Sequence, residues 1–160
     1  MLLTLLRHAQ TESGRIGQSD FDRELEPRGR RDAPDIARRL QSRHPVPTLI
    51  VTSTAARAVE TSRIVARVFD IAERDIVEDQ RLYLASAAML QVARERGGAT
   101  PHLMIVGHNP GITEFGNQLS AERSLEGMPT CAAYTLRFDI DAWARLDWAE
   151  GFDGELIYPG

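Results

Sequence analysis

Three short apolar runs, Leu2–Leu6, Leu49–Thr52 and Leu103–Val106, punctuate the chain at wide intervals. Runs of this length suit strands covered on both faces. The stretches between them carry a different period. Ala33, Ile36, Ala37 and Leu40 recur at i, i+3, i+4 and i+7, and Ala58, Ser62, Val65 and Phe69 fall on one helical face in the same way. Ser86 is placed to cap a third helix running through Leu90 and Ala93. Strands that alternate with helices predict an α/β sandwich around a mostly parallel sheet.

Near the C-terminus the period becomes two. Tyr134, Leu136, Phe138 and Ile140 alternate with Ala133, Thr135, Arg137 and Asp139. That alternation predicts a strand with one wetter face, near a sheet edge and antiparallel to its neighbours. The polar segment from Asp20 to Gly29 reads as a loop reaching over a site. No repeat, low-complexity tract or long linker divides the 160 residues, so one domain spanning 1–160 is expected.

Composition removes several classes of function. The nineteen basic residues are all arginine. Without lysine there is neither a Schiff-base mechanism nor a Walker-type phosphate loop. A net charge of −4 argues against a dedicated nucleic-acid binder. Cys131, the single cysteine, allows no internal disulfide and reads as a small buried residue. The apolar run at the N-terminus stops at Arg7, too short for a secretory core or a membrane span, so a cytoplasmic protein with no membrane partner is expected.

Each of the three apolar runs ends in residues that are unusual for a core. Leu6-Arg7-His8-Ala9 delivers an Arg-His pair, and Thr52 to Thr61 turns from a strand into a helix carrying Arg57. Val106-Gly107-His108-Asn109-Pro110-Gly111 ends in a second histidine, with Asn109 and Pro110 suited to the N-cap and first position of a helix. Ligands of parallel sheets bind at the carboxyl ends of the strands, so the three segments should converge on one rim. Two guanidiniums, two imidazoles and helix-start amides there suit a phosphoryl group. A neutral histidine among guanidiniums could serve as nucleophile, and a phosphoryl group carried on His8 would need no metal. Each piece has a bland reading too. An Arg-His pair occurs by chance, a strand-end histidine is often structural, and a helical arginine is usually solvated.

Taken in order, the pieces resemble the histidine phosphatase superfamily. Arg7-His8-Ala9 is similar to its Arg-His-Gly signature, Ser53 to Thr61 to its second block, and Gly107-His108-Asn109-Pro110 to its third. The stretch from Thr130 to Ala144, with Trp143, adds to the likeness. The resemblance implies a three-layer α/β/α sandwich and a phosphorylated nucleophile at His8. Arg7, Arg57 and His108 would bind phosphoryl oxygens, with no cofactor.

Two departures narrow the branch. Where mutase-like members carry a glutamate as proton donor, Arg81-Leu82-Tyr83-Leu84 places Leu84. Where acid phosphatases carry Asp after the distal histidine, this chain has Asn109. A general acid matters most for a poor alkoxide leaving group. The imidazole of phosphohistidine leaves far more readily, so a site without the acid suits a P–N bond. The chain accordingly resembles the small SixA-type phosphohistidine phosphatases. Asp22-Arg23-x-Leu25-x-x-Arg28-Gly29 and Leu82-Tyr83-x-Ala85 match that branch loosely, with Glu24 and Glu26 replacing its Pro and Thr. This adds Arg23 and Asn109 as further phosphate contacts, although Arg23 could instead pair with Asp20 or Asp22.

The implied partner is a phosphohistidine-containing protein or a small phosphorylated metabolite. The second possibility, a phosphomonoesterase, would need an acid such as Glu12, Asp20 or Asp22. The third is a phosphate-recognition module without catalysis. Arg15 has no assigned role. Arg28, Arg30 and Arg31 read as a solvated helix start, and His44 and His102 as surface residues.

Overall fold

In the computed structural model, the strands at the three motif positions lie side by side in one six-stranded sheet. The structure describes residues 1–84 and 86–160, and the side chains of all these except Leu84 and Ser86. The strands are β1 (Leu2–Arg7), β2 (Leu49–Thr52), β3 (Ile76–Glu78), β4 (His102–Gly107), β5 (Ala133–Arg137) and β6 (Phe152–Ile157). Their order across the sheet is β3-β2-β4-β1-β5-β6. The first four run parallel, and β5 lies antiparallel to both β1 and β6.

The central strands are buried on both faces, which their unbroken apolar runs anticipate. Leu3, Leu5, Leu103 and Ile105 point into one core, and Leu6, Met104 and Val106 into the other. Helices α1 (Pro27–Gln41) and α2 (Ala56–Phe69) cover the second core with Ala33, Ile36, Ala37, Leu40, Ala58, Val65 and Phe69. On the opposite face, α3 (Arg81–Leu84), α4 (Met89–Arg96) and α5 (Gly111–Leu119) contribute Leu82, Met89, Val92, Ile112 and Phe115. The result is the expected three-layer sandwich. No described helix is long and apolar enough to cross a membrane.

Several local expectations need correction. Strand β5 is second from the edge and antiparallel, as expected, but it has no wetter face: residues 133–136 are all buried, Tyr134 and Leu136 in one core and Ala133 in the other. Beyond Thr135 the register shifts, and the strand ends at Arg137 instead of continuing to Ile140. Helix α4 starts at Met89 behind a 3₁₀ turn at Ser86–Ala88, with Ala88 at its N-cap position. The side chain of Ser86, and Ala85 in the Leu82-Tyr83-x-Ala85 stretch, lie outside the described residues. Helix α5 likewise begins one residue late, with Pro110 and not Asn109 as its N-cap.

His102 is not a surface residue. It opens β4 and is buried there because both ring nitrogens find partners. Its Nδ1 lies 2.7 Å from the Pro45 carbonyl and its Nε2 lies 2.8 Å from the Thr4 hydroxyl, which also meets Thr135. A carbonyl only accepts, so Nδ1 carries the proton and Nε2 accepts from Thr4. His44 is half-buried, 3.3 Å from Glu155. Arg28 and Arg30 are exposed and paired with Asp32 and Glu60, and Arg31 is exposed.

Candidate active site

The ends of β1, β2 and β4 deliver their polar residues to one rim, where the rings of His8 and His108 stand 5.2 Å apart, centroid to centroid, tilted by 49°. Backbone bonds fix the His8 segment from both sides. Its N–H donates to Gly107 and its carbonyl accepts from Cys131. Thr61, one turn past Arg57 on α2, donates its hydroxyl to the Arg57 carbonyl at 2.7 Å and accepts from the Ala9 N–H at 3.0 Å. That clasp holds the first turn of α2 against the residue after His8.

The same geometry sets the tautomers. His8 Nδ1 lies 2.8 Å from the Ala9 carbonyl, so Nδ1 carries the proton and Nε2 keeps its lone pair. Burial pushes this ring down to about 3, with His108, Arg57 and Arg7 acting in the same sense and the Ala9 bond opposing. His108 Nε2 lies 2.7 Å from Ser53 Oγ, which itself accepts from the Ala55 N–H. Among the described residues the Ser53 hydroxyl has no other acceptor, so it donates to Nε2, which places the second proton on His108 Nδ1. Burial and Arg57 hold His108 down to about 4, partly offset by Asp20. Both rings are therefore neutral near pH 7.

Arg57 sits at the start of α2 with its side chain buried. Its Nη1 donates to the Asp20 carbonyl at 2.8 Å and its Nη2 to Asp20 Oδ2 at 3.0 Å. Arg7 donates through Nη1 to the Met128 carbonyl. Two buried atoms, Arg7 Nε and His108 Nδ1, have no hydrogen-bond partner among the described residues. Both are N–H donors left unpaired beside the histidine pair, a set that can hold a tetrahedral anion.

The predicted residues thus divide into two groups. Arg7, His8, Arg57 and His108 come together. Arg23 uses its guanidinium on Asp20 Oδ1 at 3.0 Å, the Glu12 carbonyl and the Thr11 hydroxyl, the pairing that the sequence left open. Asn109 spends both ends of its amide on the scaffold, donating to the Met128 carbonyl and accepting from Thr113. Cys131 lies buried behind His8, its thiol pushed up to about 12 by burial, so it takes no part as a nucleophile at neutral pH. Among the described residues, no three His, Cys, Asp or Glu side chains form a group that could hold a metal ion.

Sequence reasoning placed Ser53, Thr61 and Tyr83 in motif stretches without giving them a role, and passed over Phe21. Tyr83 stands edge-on to His108 at 5.6 Å and to Phe21 at 5.2 Å, forming one wall of the mouth. Its hydroxyl donates to Asp20 Oδ2 at 3.0 Å. Burial acts to raise the Asp20 carboxyl, but hydrogen bonds from Tyr83 and Arg57 and the Arg57 charge outweigh it and hold the group below its ordinary value. Asp20 is therefore an ionised carboxylate at neutral pH.

Known proteins bear a clear likeness to this chain. The family profile described as histidine phosphatase superfamily (branch 1) matches residues 3–83. A crystal structure of SixA from Agrobacterium tumefaciens, a proposed phosphohistidine phosphatase, is 30% identical with a TM-score of 0.81, covering 99% of this chain and 97% of that one. A second SixA of the same proposed activity, from Nakamurella multipartitia, is 25% identical with a TM-score of 0.82 over 99% and 95% of the two chains. An uncharacterized chloroplastic protein of Arabidopsis thaliana is 31% identical over 150 residues, 88% of this chain and 68% of its own length.

Proposed function

The chain belongs to the histidine phosphatase superfamily (branch 1), and from that premise we propose that it removes phosphoryl groups from phosphohistidine in a signalling or phosphotransfer protein. It is a phosphatase that works through a histidine nucleophile, of the SixA type. In our reading that nucleophile is His8. Its Nε2 lone pair attacks phosphorus, the P–N bond of the substrate breaks, and the substrate imidazole departs. Water then attacks the phosphoryl group on His8 Nε2, giving inorganic phosphate and the free ring. Arg7, Arg57 and His108 Nδ1–H hold the equatorial oxygens through both displacements. These groups supply the charge and the donors, so the steps call for no metal ion.

The observation that carries the choice of substrate is the state of Asp20. It is the carboxylate whose charge reaches His108, and it is ionised and occupied by Tyr83, Arg57 and Arg23. An ionised carboxylate cannot protonate an alkoxide. Phosphohistidine needs no such donor, because its second ring nitrogen can carry a proton from solvent and the imidazole then leaves neutral. Loss of a general acid costs about 10²–10⁴-fold when the leaving group is an alkoxide.

The test compares a histidine-phosphorylated protein with an alkyl phosphomonoester on purified enzyme in the presence of a chelator. The expected result is a preference for the phosphohistidyl protein in kcat/KM. Preference for the alkyl ester, lost on Asp20→Asn, Glu12→Gln or Asp22→Asn, would instead make this a small-molecule phosphomonoesterase.

A further inference from the structure

We propose that Asp20 is an internal competitor of the phosphoryl group for Arg57: its carboxylate and carbonyl occupy the terminal nitrogens of the guanidinium in the resting site, and the ligand binds by displacing them. This rests on the reading of Arg57 as a phosphate-binding residue.

The two partners differ in how firmly they are held. The Arg57 side chain is 9% exposed, at the start of a fourteen-residue helix clasped through Thr61 to Ala9, just past the end of β1. The Asp20 side chain is 53% exposed, on a three-residue 3₁₀ turn (Asp20–Asp22) that contains no buried residue. The flanking residues from Ser13 to Asp22 are almost all exposed. The guanidinium is thus the fixed member and the carboxylate the movable one.

A buried guanidinium with no counter-ion is costly, and Asp20 meets that need between turnovers. A carboxylate and a phosphoryl group offer the same kind of oxygen to the same donors. With a dianion on Arg57, the Asp20 charge beside it becomes repulsive, so the residue gives up Nη1 and Nη2 while Arg23, the C-cap of the same turn, stays paired with the carboxylate and keeps it ionised. The consequence reaches the end of the cycle. As inorganic phosphate leaves, Asp20 retakes the Nη1 and Nη2 donors, which lowers product affinity and speeds release. Arg23 and the Tyr83 hydroxyl hold the carboxylate ready for that return.

The experiment is isothermal titration of inorganic phosphate into the wild type, Asp20→Asn, Asp20→Ala, Asp22→Asn and Arg57→Ala. Asp20→Asn and Asp20→Ala should each bind phosphate about fivefold or more tightly, the scale of one ion pair removed from competition. Asp22→Asn removes the same charge from the same turn without touching Arg57, and should bind within about twofold of wild type. Unchanged or weaker binding in both Asp20 variants would overturn the proposal, as would equal tightening by Asp22→Asn, which would reveal a general field effect. Arg57→Ala should lose most of the affinity. Retained affinity there would overturn the phosphate-binding reading of Arg57, and the competition with it.

Discussion

His108 Nε2 lies 2.7 Å from the hydroxyl of Ser53, a residue at the end of the neighbouring strand. With Ser53 donating to Nε2, the ring proton sits on His108 Nδ1, which has no hydrogen-bond partner among the described residues. Ser53 is wholly buried, and its hydroxyl is positioned by the Ala55 N–H. Ser53→Ala should lower kcat/KM about tenfold, the equivalent of about 1.4 kcal/mol in the barrier, because the His108 tautomer is no longer set. Steady-state kinetics on the folded variant check this, and wild-type kcat/KM would contradict it.

Two buried histidines, His8 and His102, and the half-buried His108 make stability depend on pH in a defined direction. Their folded values are held below the ordinary 6.5, at about 3 for His8 and about 4 for His102 and His108, with burial the main cause in each. Between about pH 4 and 6.5 the unfolded chain binds more protons than the folded one, so stability rises with pH and its full contribution is present above 6.5. Asp79, held at about 2 chiefly by Arg81, acts only at lower pH. Tm should therefore climb from pH 4 to 6.5, and proton NMR should show the three rings neutral at pH 5.5. A flat Tm over that range, or rings titrating near 6.5, would refute the account.

Two glycines separate effects on the site from effects on the core. A Cβ at Gly29 would meet the Gln10 carbonyl oxygen at 2.3 Å, and Gln10 lies two residues past His8. Gly29→Ala should cost about 1–3 kcal/mol and also lower kcat, since the backbone after His8 must shift. A Cβ at Gly97 would run into Trp143 at 2.4 Å, on the far side of the sheet from α1 and α2. Gly97→Ala should cost a similar amount and leave kcat near wild type. Denaturant melts paired with kinetics distinguish the two, and equal kcat losses would show that Gly29 has no special link to the site.

Arg57 presents a planar fork that lysine cannot copy. Arg57→Ala should reduce kcat/KM about 10²–10³-fold, with Arg57→Lys recovering little of it. Arg30→Ala, which removes an exposed pair with Glu60, should leave both Tm and kcat/KM near wild type. A near-complete rescue by lysine would argue that Arg57 supplies only charge.

What the sequence revealed follows from what leaves a local trace. Strands buried on both faces must be apolar throughout, so β1, β2 and β4 stood out, and the polar residues at their ends were conspicuous by contrast. The helix faces of α1 and α2 showed for the same reason. Strand β3 has only three residues, and β6 is an edge strand that is mostly exposed, so neither carries an apolar pattern. The burial of His102 depends on Thr4, Thr135 and the Pro45 carbonyl, none of them near it in sequence. Ser53 with His108, and Asp20 with Arg57 and Tyr83, are likewise tertiary pairs between elements. The histidine pair and its two arginines were visible one at a time, whereas the groups that orient and occupy them were not.

The most direct measurement is a rapid-quench experiment with a 32P-labelled phosphohistidyl protein, followed by mapping of any label left on the enzyme. The account predicts an acid-labile, base-stable phosphoryl group on His8 in the wild type, formed and lost within one turnover, and none in His8→Ala, which should not turn over. Turnover by His8→Ala, or label mapped to another residue, would contradict it.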